Sequence, residues 1–465
     1  MKFDLGIIGG GAAAFAAAIK AEDFGVKTVM VNGGTIGGTC VNVGCVPSKR
    51  LLTMGGHYYY PLQEGHPGII CDRIGLDYPT VIDTKNLLIR GLRKKKYADV
   101  VKSLKHLDYV EGHATFESKH TIGVDGRSIT ARKFVIATGS SPRPPQVAGA
   151  GEIDYLTNVE ALDLRNPPES IIIVGGRALG LEFSQIFRHF GSKVTVVQRS
   201  DRIVPEEEPE ISVALRKCLE AEGIVINTGV SLLAFKEKNG KKEVHVKTGR
   251  SEKVLRADEI LMATGRRPNT DGLNLDTAGV KTAEDGAVLV NREMRTTASH
   301  VWAAGDVKGE PMLETAAAKE GAIAAENALS QVRRKMDYSA VPRAIFTSPQ
   351  VATVGLTERE VLERGLQCNC RTLKMENIPK ALITGQTRGL IKMVIDNRTR
   401  RILGVHILSD MAADMIHEGV LAVKNKLTIE DLVDTVHVFP TMSEAVKLTA
   451  QSFTKDVSSL SCCIE

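Results

Sequence analysis

Phe3-Asp4-Leu5-Gly6-Ile7-Ile8-Gly9-Gly10-Gly11-Ala12-Ala13-Ala14 opens the chain and decides how the rest is read. An apolar strand runs into a glycine turn and then into small residues of helical character. Gly9, Gly11 and Ala14 give the spacing G-x-G-x-x-A in the strand–turn–helix context that makes it meaningful. Small side chains let the backbone approach a pyrophosphate, and the first helical turn offers it N–H groups that have no intrahelical partner. The next strand, Thr28-Val29-Met30-Val31, ends at Asn32, where an acid is expected to bind an adenosine ribose. Asn32 keeps the hydrogen-bonding capacity without the charge. The run from Leu5 to Ile19 is apolar like a signal-peptide core, but its glycines follow the nucleotide pattern, Lys20 ends it, and no convincing small-residue cleavage site follows.

Directly after this unit comes Gly37-Gly38-Thr39-Cys40-Val41-Asn42-Val43-Gly44-Cys45-Val46-Pro47-Ser48-Lys49. Two cysteines spaced C-x-x-x-x-C at the opening of a helix are placed for two-electron dithiol/disulfide exchange. The helix N-terminus and the nearby lysine favour the thiolate. A second nucleotide unit begins at Ser170-Ile171-Ile172-Ile173-Val174 and continues as Gly175-Gly176-Arg177-Ala178-Leu179-Gly180, with Arg177 in place of the middle glycine. Its following strand, Lys193 to Val197, leads into Gln198-Arg199-Ser200-Asp201-Arg202. Gln198 stands where an acid would select NADH. Arg199 and Arg202 are what a 2′-phosphate requires, so the unit is read as selecting NADPH; the bland alternative is a pair of exposed loop charges. Ala137-Thr138-Gly139 and Ala263-Thr264-Gly265 each close an apolar strand and mark crossovers between domains. Asp306, just beyond the strand around Trp302, suits a hydrogen bond to a polyol such as the ribityl chain of a flavin, or a helix N-cap.

The last chemical feature is Cys462-Cys463, followed only by Ile464 and Glu465. Two adjacent thiols on a terminal segment can capture a soft metal ion or relay electrons. Composition narrows the classes further. A chain of 465 residues, 43% of them hydrophobic, should divide into about three domains. A net charge of +5 is small for that length and argues against a nucleic-acid binder, which leaves Arg93-Lys94-Lys95-Lys96 as a solvated helix face. Eight cysteines are too few for a disulfide-stapled secreted fold. No segment reaches the roughly 20 apolar residues that span a bilayer, so a cytoplasmic protein with no membrane partner is expected.

Together these motifs resemble the pyridine nucleotide–disulfide oxidoreductases over essentially the whole chain. The resemblance implies an α/β fold with two Rossmann-like dinucleotide-binding domains and a C-terminal α+β dimerisation domain. The expected divisions are 1–150 for FAD, 151–266 for NADPH, 267–337 completing the FAD domain, and 338–465 forming the interface of a homodimer. By the same resemblance Cys45 is the flavin-side thiol and Cys40 the interchange thiol. Lys49 lies near the flavin and Glu182 is its ion-pair partner. Gly38, Thr39, the two Ala-Thr-Gly segments and Asp306 serve the cofactors, along with Gly9, Gly11, Ala14, Asn32, Gly175, Gly180, Arg199, Arg202 and Gly265.

Within that family, members acting on disulfides carry a His-Pro-Thr segment whose histidine is the general acid/base. Here the segment is Phe439-Pro440-Thr441, and phenylalanine cannot transfer a proton. His437 would share the face of Phe439 on a strand but lie about 7 Å away. The branch this resembles is that of the mercuric reductases, which share the redox sequence, the Leu460-Ser461-Cys462-Cys463 tail and the missing base. That branch implies reduction of Hg(II) to Hg(0) by NADPH, with Cys40, Cys45, Cys462 and Cys463 as metal ligands. Tyr97 resembles one of the branch's tyrosines beside the inner thiols, and the other aligns with Phe439. The N-terminal metallochaperone-like domain of many members is expected to be missing, since the flavin fold starts at residue 3. Competing readings are an NAD(P)H-dependent disulfide reductase of the thioredoxin-reductase or lipoamide-dehydrogenase type, and a flavoprotein that sequesters metal without turnover.

Overall fold

A computed structural model describes residues 2–63 and 68–456. Four parallel strands, Leu107–Glu111, Thr28–Asn32, Lys2–Ile8 and Arg127–Ile136, lie side by side in that order, and Val301–Ala303 pairs in parallel with the end of the last. Antiparallel strands Thr121–Val124 and Ala114–Ser118 complete one sheet. Every residue of Thr28–Asn32 is buried, as a parallel sheet covered on both faces requires. The cover on one side is the helix Ala12–Asp23 packed against Glu314–Leu329, both alanine-rich along the contact. Their backbones nearly touch: a Cβ on Gly321 would lie 2.1 Å from the carbonyl oxygen of Ala13.

A second parallel sheet has the order Val225–Asn227, Lys193–Val197, Ser170–Val174, Glu259–Met262. A three-stranded antiparallel sheet, Ser231–Lys238 to Ser251–Ala257, lies against it. The chain enters and leaves this region through Ser140–Pro142 and Arg266–Pro268, which pair with each other as a two-stranded antiparallel ribbon. Both crossovers begin directly after the Ala-Thr-Gly segments. The two segments also share a packing role. A Cβ on Gly9 would lie 2.1 Å from the Ala137 carbonyl oxygen, and one on Gly175 would lie 2.2 Å from that of Ala263. The first glycine of each fingerprint is therefore needed for close approach of backbone to backbone.

From Arg343 onward a five-stranded antiparallel sheet forms, with the order Arg343–Ile345, Gln350–Gly355, Ile402–Ser409, Leu390–Asp396, Cys368–Lys374. Helices Ala412–Asn425, Ile429–Asp434 and Glu444–Gln451 close over it around a separate apolar core. The segment holding His437 and Phe439 differs from the expectation: it is a loop, not a strand. His437 is tied to Glu418 at 2.8 Å and to the Thr435 carbonyl at 2.9 Å, a structural role. Among the described residues no helix is long and apolar enough to cross a membrane.

Candidate active site

Cys40 sits in the short helix Gly38–Val43, and Cys45 is the first residue of the long helix Cys45–Gln63. Gly44 makes the break between them possible. A Cβ there would stand 2.9 Å from the Thr39 carbonyl oxygen and 3.1 Å from the Cys40 Cα, so a larger residue would push the two cysteines apart. Asn42 braces the loop by donating to the carbonyls of Ile36 and Gly38, and it accepts from Arg93 at 2.9 Å. Arg93 therefore leaves the solvated basic run to hold the redox loop, whereas Lys94, Lys95 and Lys96 are exposed as expected.

Both cysteines are thiols, and their sulfurs share a site with a carboxylate oxygen of Glu314, all three atoms within 4.8 Å of one another. Cys40 is hydrogen-bonded directly to Glu314. The two thiols are driven in opposite directions. Cys45 is pulled down by the hydrogen bond from Cys40 and by the charge of Lys49, against the cost of burial. Its place at a helix N-terminus acts the same way. Cys40 is pushed well up by its hydrogen bond with Cys45, then by burial and by the charges of Cys45 and Glu314. Of the two thiols, Cys45 is therefore the one favoured as the thiolate.

Lys49 lies one helical turn beyond Cys45, with its ammonium 2.9 and 2.7 Å from the two carboxylate oxygens of Glu182. Glu182 is buried in the helix Ala178–His189 and also accepts from the Phe346 backbone N–H at 3.0 Å. This ties the redox helix to the second nucleotide unit and to the C-terminal sheet. Tyr97 is brought to the same place. It lies in a π-helical turn, Lys94–Ala98, packs edge-on against Phe15 with ring centroids 4.9 Å apart, and lies 3.3 Å from where a Cβ on Gly37 would be. Its hydroxyl is pushed up to about 12 by burial and then by the charges of Glu314, Cys40 and Cys45.

The residues read as cofactor contacts fall on two cradles. In the first, the helix Ala12–Asp23 has no capping side chain and no acid in its first turn, so its N–H groups face the glycine turn uncapped. Gly11 and Gly38 pack against each other, and a Cβ on Gly38 would lie 2.7 Å from the Gly11 Cα. Ala14 is fully buried beneath the turn. Asn32 borders Gly10 and donates to the Gly34 carbonyl at 2.6 Å and to the Tyr109 hydroxyl at 3.2 Å. Thr138 is latched to Asn269 through both side chains, and Gly139 has φ +72. Asp306 accepts from the Ser140 hydroxyl at 2.6 Å, with Arg266 3.9 Å away. The N-cap alternative for Asp306 fails: Gly305 holds that position, and Asp306 is the first residue of the short helix Asp306–Lys308.

In the second cradle the helix Ala178–His189 likewise has no capping side chain and no first-turn acid. Gly180 packs so closely that a Cβ would lie 1.8 Å from the Gly175 carbonyl oxygen. Gln198 accepts from the Gly176 N–H at 2.8 Å and so shapes the turn itself. The two arginines differ. Arg199 is exposed, while Arg202 donates to the carbonyls of Pro205 and Glu207 at 2.7 and 3.1 Å, which spends part of its donor set within its own loop. Both glycine cradles have the open backbone, small side chains and uncapped helix ends that a dinucleotide needs. Cys462 and Cys463 lie outside the described residues.

Sequence reasoning missed Glu314. An acid in the first turn of a helix ordinarily complements the helix dipole, and nothing local in Met312-Leu313-Glu314-Thr315 signals that its partner is a cysteine 274 residues away.

Comparison with known proteins places the fold and the family. Residues 3–321 match the family model described as pyridine nucleotide-disulphide oxidoreductase, and residues 341–450 match its dimerisation domain. The chain is 42% identical to a mercuric reductase of Staphylococcus aureus, over 99% of this chain and 84% of the relative. It is 43% identical to a mercuric reductase of Streptomyces lividans, over 99% and 98%. Among solved structures it resembles the HOCl-induced flavoprotein disulfide reductase RclA of Escherichia coli in its Cu(II) complex, with a TM-score of 0.88, 27% identity, and coverage of 98% of this chain and 100% of that one. Fold, paired thiols and likeness along nearly the whole length agree, and the chain belongs to the pyridine nucleotide–disulphide oxidoreductases and, within them, to the mercuric reductase family.

Proposed function

We propose that the chain reduces Hg(II) to elemental mercury at the expense of NADPH. The observation that carries this reading is the site of Cys40, Cys45 and Glu314, where two sulfurs and a carboxylate oxygen lie close enough to face one ion. The balance is NADPH + Hg(II) → NADP⁺ + Hg(0) + H⁺. FAD held in the first cradle would supply two-electron transfer between NADPH and the metal at the thiol pair. Gly9, Gly11, Ala14 and the helix they open would hold its pyrophosphate, Asn32 its ribose, and Asp306 its ribityl chain. Gly175, Gly180 and Arg199 would hold NADPH, with Arg199 on the 2′-phosphate. Arg202 is a lesser contributor because two carbonyls already occupy its guanidinium.

The chain's own groups account for metal capture. Cys45, the thiol that the hydrogen bond from Cys40 and the charge of Lys49 favour as thiolate, meets the incoming ion first. Cys40 follows: as it ligates, its proton passes to Glu314, the acceptor already hydrogen-bonded to it. Two thiolates satisfy a soft ion that favours two-coordinate sulfur binding. Reduction to the metal needs no proton delivered to a substrate sulfur, so Phe439 in place of a histidine costs this reaction nothing. Tyr97 borders the pair and limits the space around the ion. Cys462 and Cys463 would collect Hg(II) from solution thiols and pass it to the inner pair of the other subunit of a cytoplasmic homodimer.

The test is Hg(II)-dependent NADPH oxidation by the purified flavoprotein, with release of volatile mercury. A preparation that reduces thioredoxin or an aromatic disulfide with NADPH, and not Hg(II), would place it instead with the disulfide reductases.

A further inference from the structure

We propose that Cys368, Cys370 and Glu358 form a second metal site, remote from the nucleotide cradles, which takes a soft d10 cation through two thiolates and one carboxylate. The ligand atoms of these residues lie within 4.8 Å of one another, and all three residues are partly accessible. Two sulfurs bound to one ion at about 2.3 Å each can stand at most about 4.6 Å apart, so atoms gathered within 4.8 Å need little or no movement to share one.

The geometry follows from the strand. Cys368 and Cys370 alternate with Asn369 on the edge strand Cys368–Lys374, so both project from one face, while Leu373 projects from the other into the core. Residues two apart on a strand have Cα atoms about 6.6–6.8 Å apart, at the upper end of what a disulfide spans. Both cysteines are free thiols here. The arrangement therefore suits an ion between the sulfurs better than a bond between them.

The carboxylate is held in place beforehand. Glu358 opens the helix Glu358–Glu363 behind a capping box made by Thr357 and Glu360. Its backbone N–H donates to Glu208 at 2.7 Å, and its Oε2 accepts from Lys392 at 2.8 Å. Lys392 stands on the neighbouring strand opposite Thr372, and it also bonds Glu208 and Glu210 at 3.0 and 2.9 Å. A carboxylate fixed by a neighbour keeps its second oxygen for a metal, the outer support that ligating groups usually have. Binding of a divalent ion would form two metal–sulfur bonds and release whatever protons the thiols carry, with no change of oxidation state. Because Glu358 and Lys392 join the C-terminal sheet to Glu208 and Glu210 of the inserted region, an ion here would bind at the seam between them. The proposal does not depend on what the flavin site reduces.

The experiment titrates the oxidised holoenzyme, in which Cys40 and Cys45 are joined, with Cd(II) alone. It compares wild type with Cys368→Ser/Cys370→Ser, following metal stoichiometry and ultraviolet thiolate-to-metal absorption. The variant should bind one Cd(II) fewer per chain and lose the absorption of two thiolates, with FAD content and NADPH oxidation unchanged. Glu358→Gln should keep that absorption but bind about tenfold or more weakly. Equal stoichiometry and absorption in wild type and the double variant would overturn the proposal. Should the double variant fail to fold, alkylation of wild type decides. Cd(II) should shield Cys368 and Cys370 together while exposed Cys71 still reacts, and unshielded modification of both would equally overturn it.

Discussion

Replacing Glu314 with Gln tests the account of how the two inner thiols divide their charge. The carboxylate is hydrogen-bonded to Cys40 and shares a 4.8 Å cluster with both sulfurs, so its charge opposes a thiolate on Cys40. At about 4 Å, two unit charges interact by about 1 kcal/mol in water and about 4 kcal/mol at the effective dielectric of a protein surface. Glu314 is exposed and Cys40 half-buried, so about 1–2 kcal/mol is appropriate, a gain of about 5- to 30-fold in Cys40 thiolate below its titration midpoint. A less basic thiolate is also a weaker nucleophile, with a Brønsted slope of about 0.4–0.5, which reduces the gain in rate to about 2.5- to 6-fold. The assay is iodoacetamide modification of the NADPH-reduced enzyme across a pH series, with Cys40 and Cys45 peptides resolved by mass. The Cys40 profile should move to lower pH. An unchanged or slower Cys40 rate would show that Glu314 does not control that thiol and would remove it as the proton acceptor.

Lys49→Met should leave buried Glu182 without its ammonium and destabilise the fold by about 2–4 kcal/mol, discounted from a fully buried pair because Lys49 is partly exposed; thermal unfolding of the holoenzyme measures it. The same change should move Cys45 thiolate formation to higher pH, since it removes the lysine charge and leaves the Cys40 hydrogen bond as the main support. Arg199→Ala should lower kcat/KM for NADPH by about 1–2 kcal/mol, roughly five- to thirtyfold, and leave that for NADH in place; equal loss for both cofactors would exclude a 2′-phosphate contact. Cys462→Ala/Cys463→Ala should preserve FAD binding and NADPH oxidation but impair turnover of Hg(II) bound to two bulky thiols, while mercuric halides are affected less. Equal turnover of the bulky complex would show that the tail is not the delivery site.

The parts of this molecule legible in sequence are those whose chemistry is local. Gly9 and Gly175 show themselves because strand, turn and helix are contiguous, and Cys40 and Cys45 because their spacing and helix position belong to one short segment. The Ala-Thr-Gly segments mark the crossovers, yet nothing in sequence says that their alanine carbonyls press on the first glycine of each fingerprint. Glu314 and Arg93 were hidden because each has a bland local reading, a helix-start acid and a member of a basic run. Their roles depend on a fold that brings them to residues far away in the chain. Arg202 shows the reverse: its composition suits phosphate, but two loop carbonyls within five residues engage it first. Cys368 and Cys370 gave no signal without the strand that aligns them and the helix that brings up Glu358.

The central claim is that this flavoprotein passes electrons from NADPH to mercury at Cys40 and Cys45. It is tested most directly by following NADPH absorbance and mercury vapour together in the purified holoenzyme. The account predicts one atom of Hg(0) released per NADPH consumed, lost on Cys40→Ser or Cys45→Ser. NADPH consumption without mercury vapour, or vapour release undiminished by both substitutions, would contradict it.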